Sequence, residues 1–118
     1  MGGINDVALS ADQSLVFSVG QDRRISFWDL RQPEPIQQIR RPHDDSDVTC
    51  IDASSGGNLL ATGGGDGIVN LWDIRNGARI QQGVGHSATI HQMSFSPDER
   101  QLVSVGGDGC VLIWNIFQ

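Results

Sequence analysis

Ser104, His86 and Asp108 are the residue types of a nucleophilic triad: a hydroxyl to attack, an imidazole to take its proton, a carboxylate to hold the imidazole. Two other groups invite chemistry. The run GGGDG at residues 63–67 has the composition of a phosphate cradle, and His43 stands near Asp44, Asp45 and Asp47, a set that could hold a divalent cation. Each lacks the rest of what its chemistry needs. The triad-like set recurs as Thr62, His43 and Asp66, and its hydroxyl falls inside a strand pattern, not on an exposed turn beside an oxyanion hole. A Walker loop needs Gly-Lys-Ser/Thr, and this chain has no lysine. GGGDG therefore reads as a tight turn whose glycines permit positive φ. The acidic stretch lacks the turn glycine and closing glutamate of a calcium loop and reads as a solvated loop. The expectation is no catalytic residue, no metal site and no cofactor.

The elements that position these residues come in copies. The stretch GGDGIVNLWDI at residues 64–74 returns as GQDRRISFWDL at 20–30 and GGDGCVLIWNI at 106–116. Each places a glycine eight residues and an aspartate six residues before a tryptophan, with apolar residues three and one before it. Trp28, Trp72 and Trp114 stand 44 and 42 residues apart, a period that points to a repeat architecture. Upstream, the copies align without a gap: Ile4, Val48 and Ile90 coincide, as do Val7, Ile51 and Met93, and Ser10, Ser54 and Ser96.

Short β-branched or aliphatic runs bounded by Gly, Asp, Asn or Pro predict strands in three sets. The first is INDVALS, SLVFSV, RRISFWDL and a weaker PIQQIR; the second is DVTCIDAS, NLLATG, GIVNLWDI and ARIQQGV. The third is TIHQMSFS, RQLVSV and CVLIWNI, with only Phe117 and Gln118 after Ile116, so its outer strand is missing. In the third strand of each set, Ile25/Phe27, Val69/Leu71 and Val111/Ile113 share one face and the tryptophans take the other. Apolar residues on both faces suit sheets stacked between neighbours. A β-sandwich is the alternative, and the repetition of whole strand sets argues against it.

Composition sets the remaining bounds. Net charge is −6: residues 1–41 carry five arginines against five acids, residues 42–118 three against nine. Without a basic stripe there is little to displace phosphate counterions, so nucleic acid is disfavoured as a partner. Cys50 and Cys110 have no paired spacing, which gives neither a disulfide framework nor a zinc site, and a reducing, cytoplasmic setting is the default. No apolar run approaches the roughly 20 residues of a membrane span, and no signal peptide precedes the first strand.

These residues resemble WD repeats of a β-propeller. The family pattern of Gly-His, Ser-Pro-Asp, Ser/Thr, Asp and Trp-Asp is matched by Gly85-His86, Ser96-Pro97-Asp98, Ser104, Asp108 and Trp114-Asn115. The second copy supplies His43, Thr62, Asp66 and Trp72-Asp73, and the first Ser18, Asp22 and Trp28-Asp29. The resemblance implies an all-β fold of three four-stranded antiparallel blades at 4–41, 43–84 and 86–118, the last without its outer strand: an incomplete propeller. It also implies buried hydrogen-bonded tetrads, His43–Thr62–Asp66–Trp72 and His86–Ser104–Asp108–Trp114, with a reduced set Ser18–Asp22–Trp28.

By the same resemblance the function is a non-catalytic platform that binds other proteins. The docking positions map to Asn5, Gln21, Asp47, Thr49 and His91, with Gly65 and Gly107 at the remaining turn slots. The stretch GVGHSATIHQMSFSP…SVGGDGCVLIWN is similar to the last blade of WD-repeat proteins of cilia and flagella, which implies a ciliary or cytoskeletal complex. Propellers close with about four to eight blades. Three blades are therefore read as a piece of a longer propeller, with a two-chain, six-blade ring, an open array, or one sector of a propeller enzyme as the other readings.

Overall fold

A computed structural model describes residues 3–29, 31–40, 43 and 46–116. The chain folds into three consecutive antiparallel sheets. Blade one is β1 (Ile4–Leu9), β2 (Leu15–Gly20), β3 (Arg24–Asp29) and β4 (Gln37–Arg40). Blade two is β5 (Val48–Ala53), β6 (Leu59–Gly64), β7 (Ile68–Asp73) and β8 (Arg79–Val84). Blade three is β9 (Ile90–Phe95), β10 (Gln101–Gly106) and β11 (Val111–Asn115), three strands among the described residues. Each blade is a meander, so every strand pairs with its sequence neighbour. The molecule measures 39 × 33 × 19 Å. Its thin dimension matches one six-residue strand, about 20 Å long.

Turn chemistry repeats with the strands. Ser10, Ser54 and Ser96 each accept on the side-chain oxygen from the first residue of the next strand: Leu15 (3.1 Å), Leu59 (3.1 Å) and Gln101 (3.0 Å). The aligned turn residues Gln13, Gly57 and Glu99 all take positive φ, as do Arg23, Gly67 and Gly109. Glycine at three of these six positions removes the left-handed cost that a Cβ carries.

One irregularity also recurs. In every inner strand the register slips by one residue, between Ile4 and Asp6, between Val48 and Cys50, and opposite Val105/Gly106 in β9. The bulged residues are Asn5, Thr49 and His91. A bulge re-aims the side chain it carries.

Burial follows the stacking. Phe17, Val19, Ile25 and Phe27 of blade one meet Val48, Ile51, Leu60 and Trp72 of blade two. Phe17 and Phe27 pair across β2 and β3 edge to face, 5.0 Å between centroids. The opposite face of blade two, with Ala61, Val69 and Leu71, meets Ile90, Met93 and Leu102 of blade three. Both faces of the middle blade are thus covered, which is why its strands are apolar on both sides.

Candidate functional site

The candidate site residues lie on and around the ends of these strands. In blade two, Thr62 on β6 accepts the indole N–H of Trp72 on β7 at 2.9 Å and lies 2.9 Å from His43 Nε2. The other ring nitrogen, Nδ1, lies 3.1 and 3.2 Å from the two Asp66 oxygens. Blade three repeats the chain: Trp114 donates to Ser104 at 2.8 Å, Ser104 lies 2.7 Å from His86 Nε2, and His86 Nδ1 lies 3.2 Å from Asp108. In blade one, Trp28 donates to Ser18 at 2.8 Å, while Asp22 accepts from the Arg24 amide.

One proton arrangement satisfies both full sets. The hydroxyl accepts from the indole and donates to Nε2, and Nδ1–H donates to the carboxylate. The Asp66 carboxylate also accepts from the Ile68 amide at 3.1 Å. Asp108 accepts from the Ser87 and Cys110 amides, which hold its carboxyl down to about 2 ahead of any effect of His86. Thr62 and Ser104 are fully buried at 0% exposure. A hydroxyl so enclosed, with its oxygen already accepting an indole proton, presents no face to a substrate.

The rim residues divide into two groups. Asn5 and Thr49 spend their side chains on the next blade: Asn5 Nδ2 donates to the Val48 carbonyl at 2.9 Å, and the Thr49 hydroxyl contacts the Ile90 carbonyl and, at 3.1 Å, that of Gly63. Gln21, Asp47 and His91 stay on the rim. Gln21 accepts from the Gly3 amide at 3.1 Å, and Asp47 lies 4.0 Å from Arg23 Nε, a half-exposed pair of small energetic weight. His91 is exposed over Gly107. The backbone amides of Gln21, Gly65 and Gly107 close each hairpin onto Gly3, Asp47 and Thr89. Asp44 and Asp45 lie outside the described residues. Among the described residues, no group of three or more His, Cys, Asp or Glu could hold a metal.

Two features had no counterpart in the motif reading. Asp6 accepts from the Ile51 amide at 3.1 Å and Asp52 from the Phe95 amide at 2.8 Å, so each inner strand is tied to the next by a carboxylate. Burial pushes the Asp52 carboxyl up. A cleft of about 350 Å³ opens between β8 and β11, walled by Gly83, Val84, Trp114 and Ile116. Gly83 pairs with Val69 where Ile39 pairs with Ile25 in the preceding blade, and the Trp114 ring lies directly against it.

Stacked antiparallel blades, each with an indole–hydroxyl bond and two with a full histidine–aspartate relay, define a propeller-type repeat protein. The chain belongs to the WD40 family (WD domain, G-beta repeat), whose profile matches residues 1–29, 34–73 and 77–115. It is 33% identical over 109 residues to cilia- and flagella-associated protein 52 of Chlamydomonas reinhardtii, spanning 92% of this chain and 18% of that protein. It is 32% identical to the U3 snoRNP-associated protein-like EMB2271 of Arabidopsis thaliana, over 95% of this chain and 27% of that one. The crystal structure of the RRP9 WD40 repeats superposes with a TM-score of 0.93 at 26% identity, covering 98% of this chain and 36% of that chain. The chain therefore spans 18% and 27% of the length of these two relatives and 36% of the solved chain.

Proposed function

We propose that the three blades form a non-catalytic docking platform for other proteins, one sector of a larger WD-repeat propeller. The observation that carries this is the division of polar side chains. His43, Thr62, His86 and Ser104 are buried in mutual hydrogen bonds, which suits structural locks, while Gln21, Asp47 and His91 are displayed together at one end of the blades. A rigid frame with a polar rim is suited to recognition.

The rim is mildly acidic and the chain carries −6 without a lysine, which favours a partner segment bearing Arg or Lys over nucleic acid. Similarity to a cilia- and flagella-associated protein favours a cytoplasmic, ciliary or cytoskeletal complex as the setting. Fluorescence anisotropy with an arginine-rich peptide, an acidic peptide and an RNA of equal length tests the reading. Binding of the basic peptide alone, weakened in Asp47→Lys, is the expected result. Preference for the RNA, or binding indifferent to Asp47→Lys, overturns it.

A further inference from the structure

A charged contact on the rim joins blade one to blade two. Arg23, in the turn between β2 and β3, reaches across the junction to Asp47, just before β5, with Nε 4.0 Å from Oδ1. Both side chains are about half exposed, 47% and 45%. The second junction has neither partner. In the alignment of the copies, Gly67 stands where Arg23 does and Thr89 where Asp47 does. A side chain at Gly67 has no room, since its Cβ would lie 2.6 Å from the His86 carbonyl oxygen and 3.0 Å from that of Ala88. The first junction holds a side chain at this position, although the residue takes a φ of 62°. Arg23 and Asp47 are therefore an addition to the repeat and not part of its common lock.

The two ends of the contact are held differently. The Asp47 carbonyl accepts from the Gly65 amide at 3.0 Å, and the next carbonyl, that of Val48, accepts from the Asn5 side chain at 2.9 Å. The carboxylate is thus set on a backbone tied to both blades. The Arg23 guanidinium meets it at 4.0 Å from half-exposed surface, a contact weak enough to be exchanged for another cation. An arginine arriving from outside is free to approach the carboxylate in the two-bond fork geometry, which is the stronger arrangement.

We propose that Arg23 is an internal competitor for Asp47: its guanidinium occupies the carboxylate in the unbound chain, and an arginine of the partner segment displaces it on docking. The inference rests on the docking function proposed above and adds a self-occupied state to it. Apparent affinity falls by the fraction of time that the internal pair holds the site. For a pair of this exposure the reduction is about two- to fivefold.

Fluorescence anisotropy with an arginine-rich peptide, on the unaltered chain and its variants, tests the competition. Arg23→Gly installs the residue that the equivalent turns carry and should bind the peptide about two- to fivefold more tightly. Arg23→Gln keeps a side chain in the turn and should show the same gain. With Asp47→Asn in place, Arg23→Gly should bring no gain, because there is no carboxylate left to release. Arg100→Gln removes the same charge from the exposed turn between β9 and β10, at the opposite end of the blades, and should leave affinity unchanged. Equal affinity of the unaltered chain and Arg23→Gly overturns the competition and leaves the docking function standing, provided that Asp47→Asn still weakens binding. A gain that survives Asp47→Asn, that Arg100→Gln reproduces, or that Arg23→Gln fails to show also overturns it. Absence of binding by both the unaltered chain and Arg23→Gly overturns the competition and the basic-partner reading together.

Discussion

Replacing Thr62 with valine isolates the buried relay from everything else in blade two. The shape of the side chain is nearly kept, so the cost comes from polar groups and not from a cavity. Trp72 Nε1–H loses its acceptor at 2.9 Å and His43 Nε2 loses the hydroxyl at 2.9 Å, in a site where Thr62 is 0% exposed. A stranded buried N–H costs about 1–3 kcal/mol, which sets the loss at Trp72, a large part of the stability of a small domain; His43 Nε2 keeps the Asn70 amide at 3.5 Å and adds less. Ser18→Ala is the internal control: it strands only Trp28, which is half-buried and within reach of water, and should cost about 1 kcal/mol. Urea unfolding followed by circular dichroism, at one fixed protein concentration, gives both numbers, and unchanged slopes make the comparison valid. The relay does not lock the blade if Thr62→Val proves no more costly than Ser18→Ala.

Four other perturbations probe different parts of the structure. Gly83→Ala places a Cβ 2.7 Å from the Trp114 ring and should lower stability by about 1–3 kcal/mol, whereas Gly3→Ala, whose Cβ meets nothing, should be neutral in the same thermal melt. Asp52 has its folded pKa raised by burial, so its contribution to stability falls as pH climbs from the unfolded value through the folded one. Asp52→Asn keeps an acceptor for the Phe95 amide and should stabilise at neutral pH but not in acid; an equal effect at both would refute the assignment. Asp108 has the opposite sign: its folded pKa of about 2 supports the fold above the unfolded value of 3.8 and the support is lost as pH falls towards 2, so Asp108→Asn should flatten acid unfolding. Arg23→Gly relieves a φ of 62° at a position where the other two blades have glycine, and unfolding midpoints should rise by up to about 1 kcal/mol equivalent.

The spacing of Trp28, Trp72 and Trp114 was enough to place the strands, because each copy repeats its turn residues as well as its apolar ones. Ser10, Ser54 and Ser96 align in sequence and then perform the same bond in space. The bulges were not legible. A bulge displaces one residue without changing the repeat length, and Asn5, Thr49 and His91 share no side-chain chemistry beyond the ability to donate. Family position named Asn5 and Thr49 as docking residues; that both also bond to the next blade comes from the register slip and was not visible in their position. A trace of the slip exists in the sequence of β5, where Val48, Cys50 and Ile51 are all buried and strict alternation breaks. The Asp6 and Asp52 ties were hidden for a related reason: they occupy different positions of the aligned copies, so comparison of repeats does not bring them forward.

The three tryptophans separate two levels of stability. Their indole bonds are the same within each blade, 2.8, 2.9 and 2.8 Å, yet only Trp72 is buried, at 6%, while Trp28 and Trp114 remain half-exposed. The hydrogen-bonded lock is therefore set inside a blade and needs no neighbour, whereas the burial that rewards it is set by what packs on the face. In a repeat protein these terms add nearly independently, an intrinsic part for each unit and an interface part for each junction. It follows that Thr62→Val should lower stability alike whether or not a further blade is docked on blade one, since it acts within the blade. Val7→Asp should matter only where a second face is docked on blade one. A loss of stability from Val7→Asp under dilute conditions, where no such junction exists, would show that the two levels are coupled and that the face of blade one already supports its own sheet.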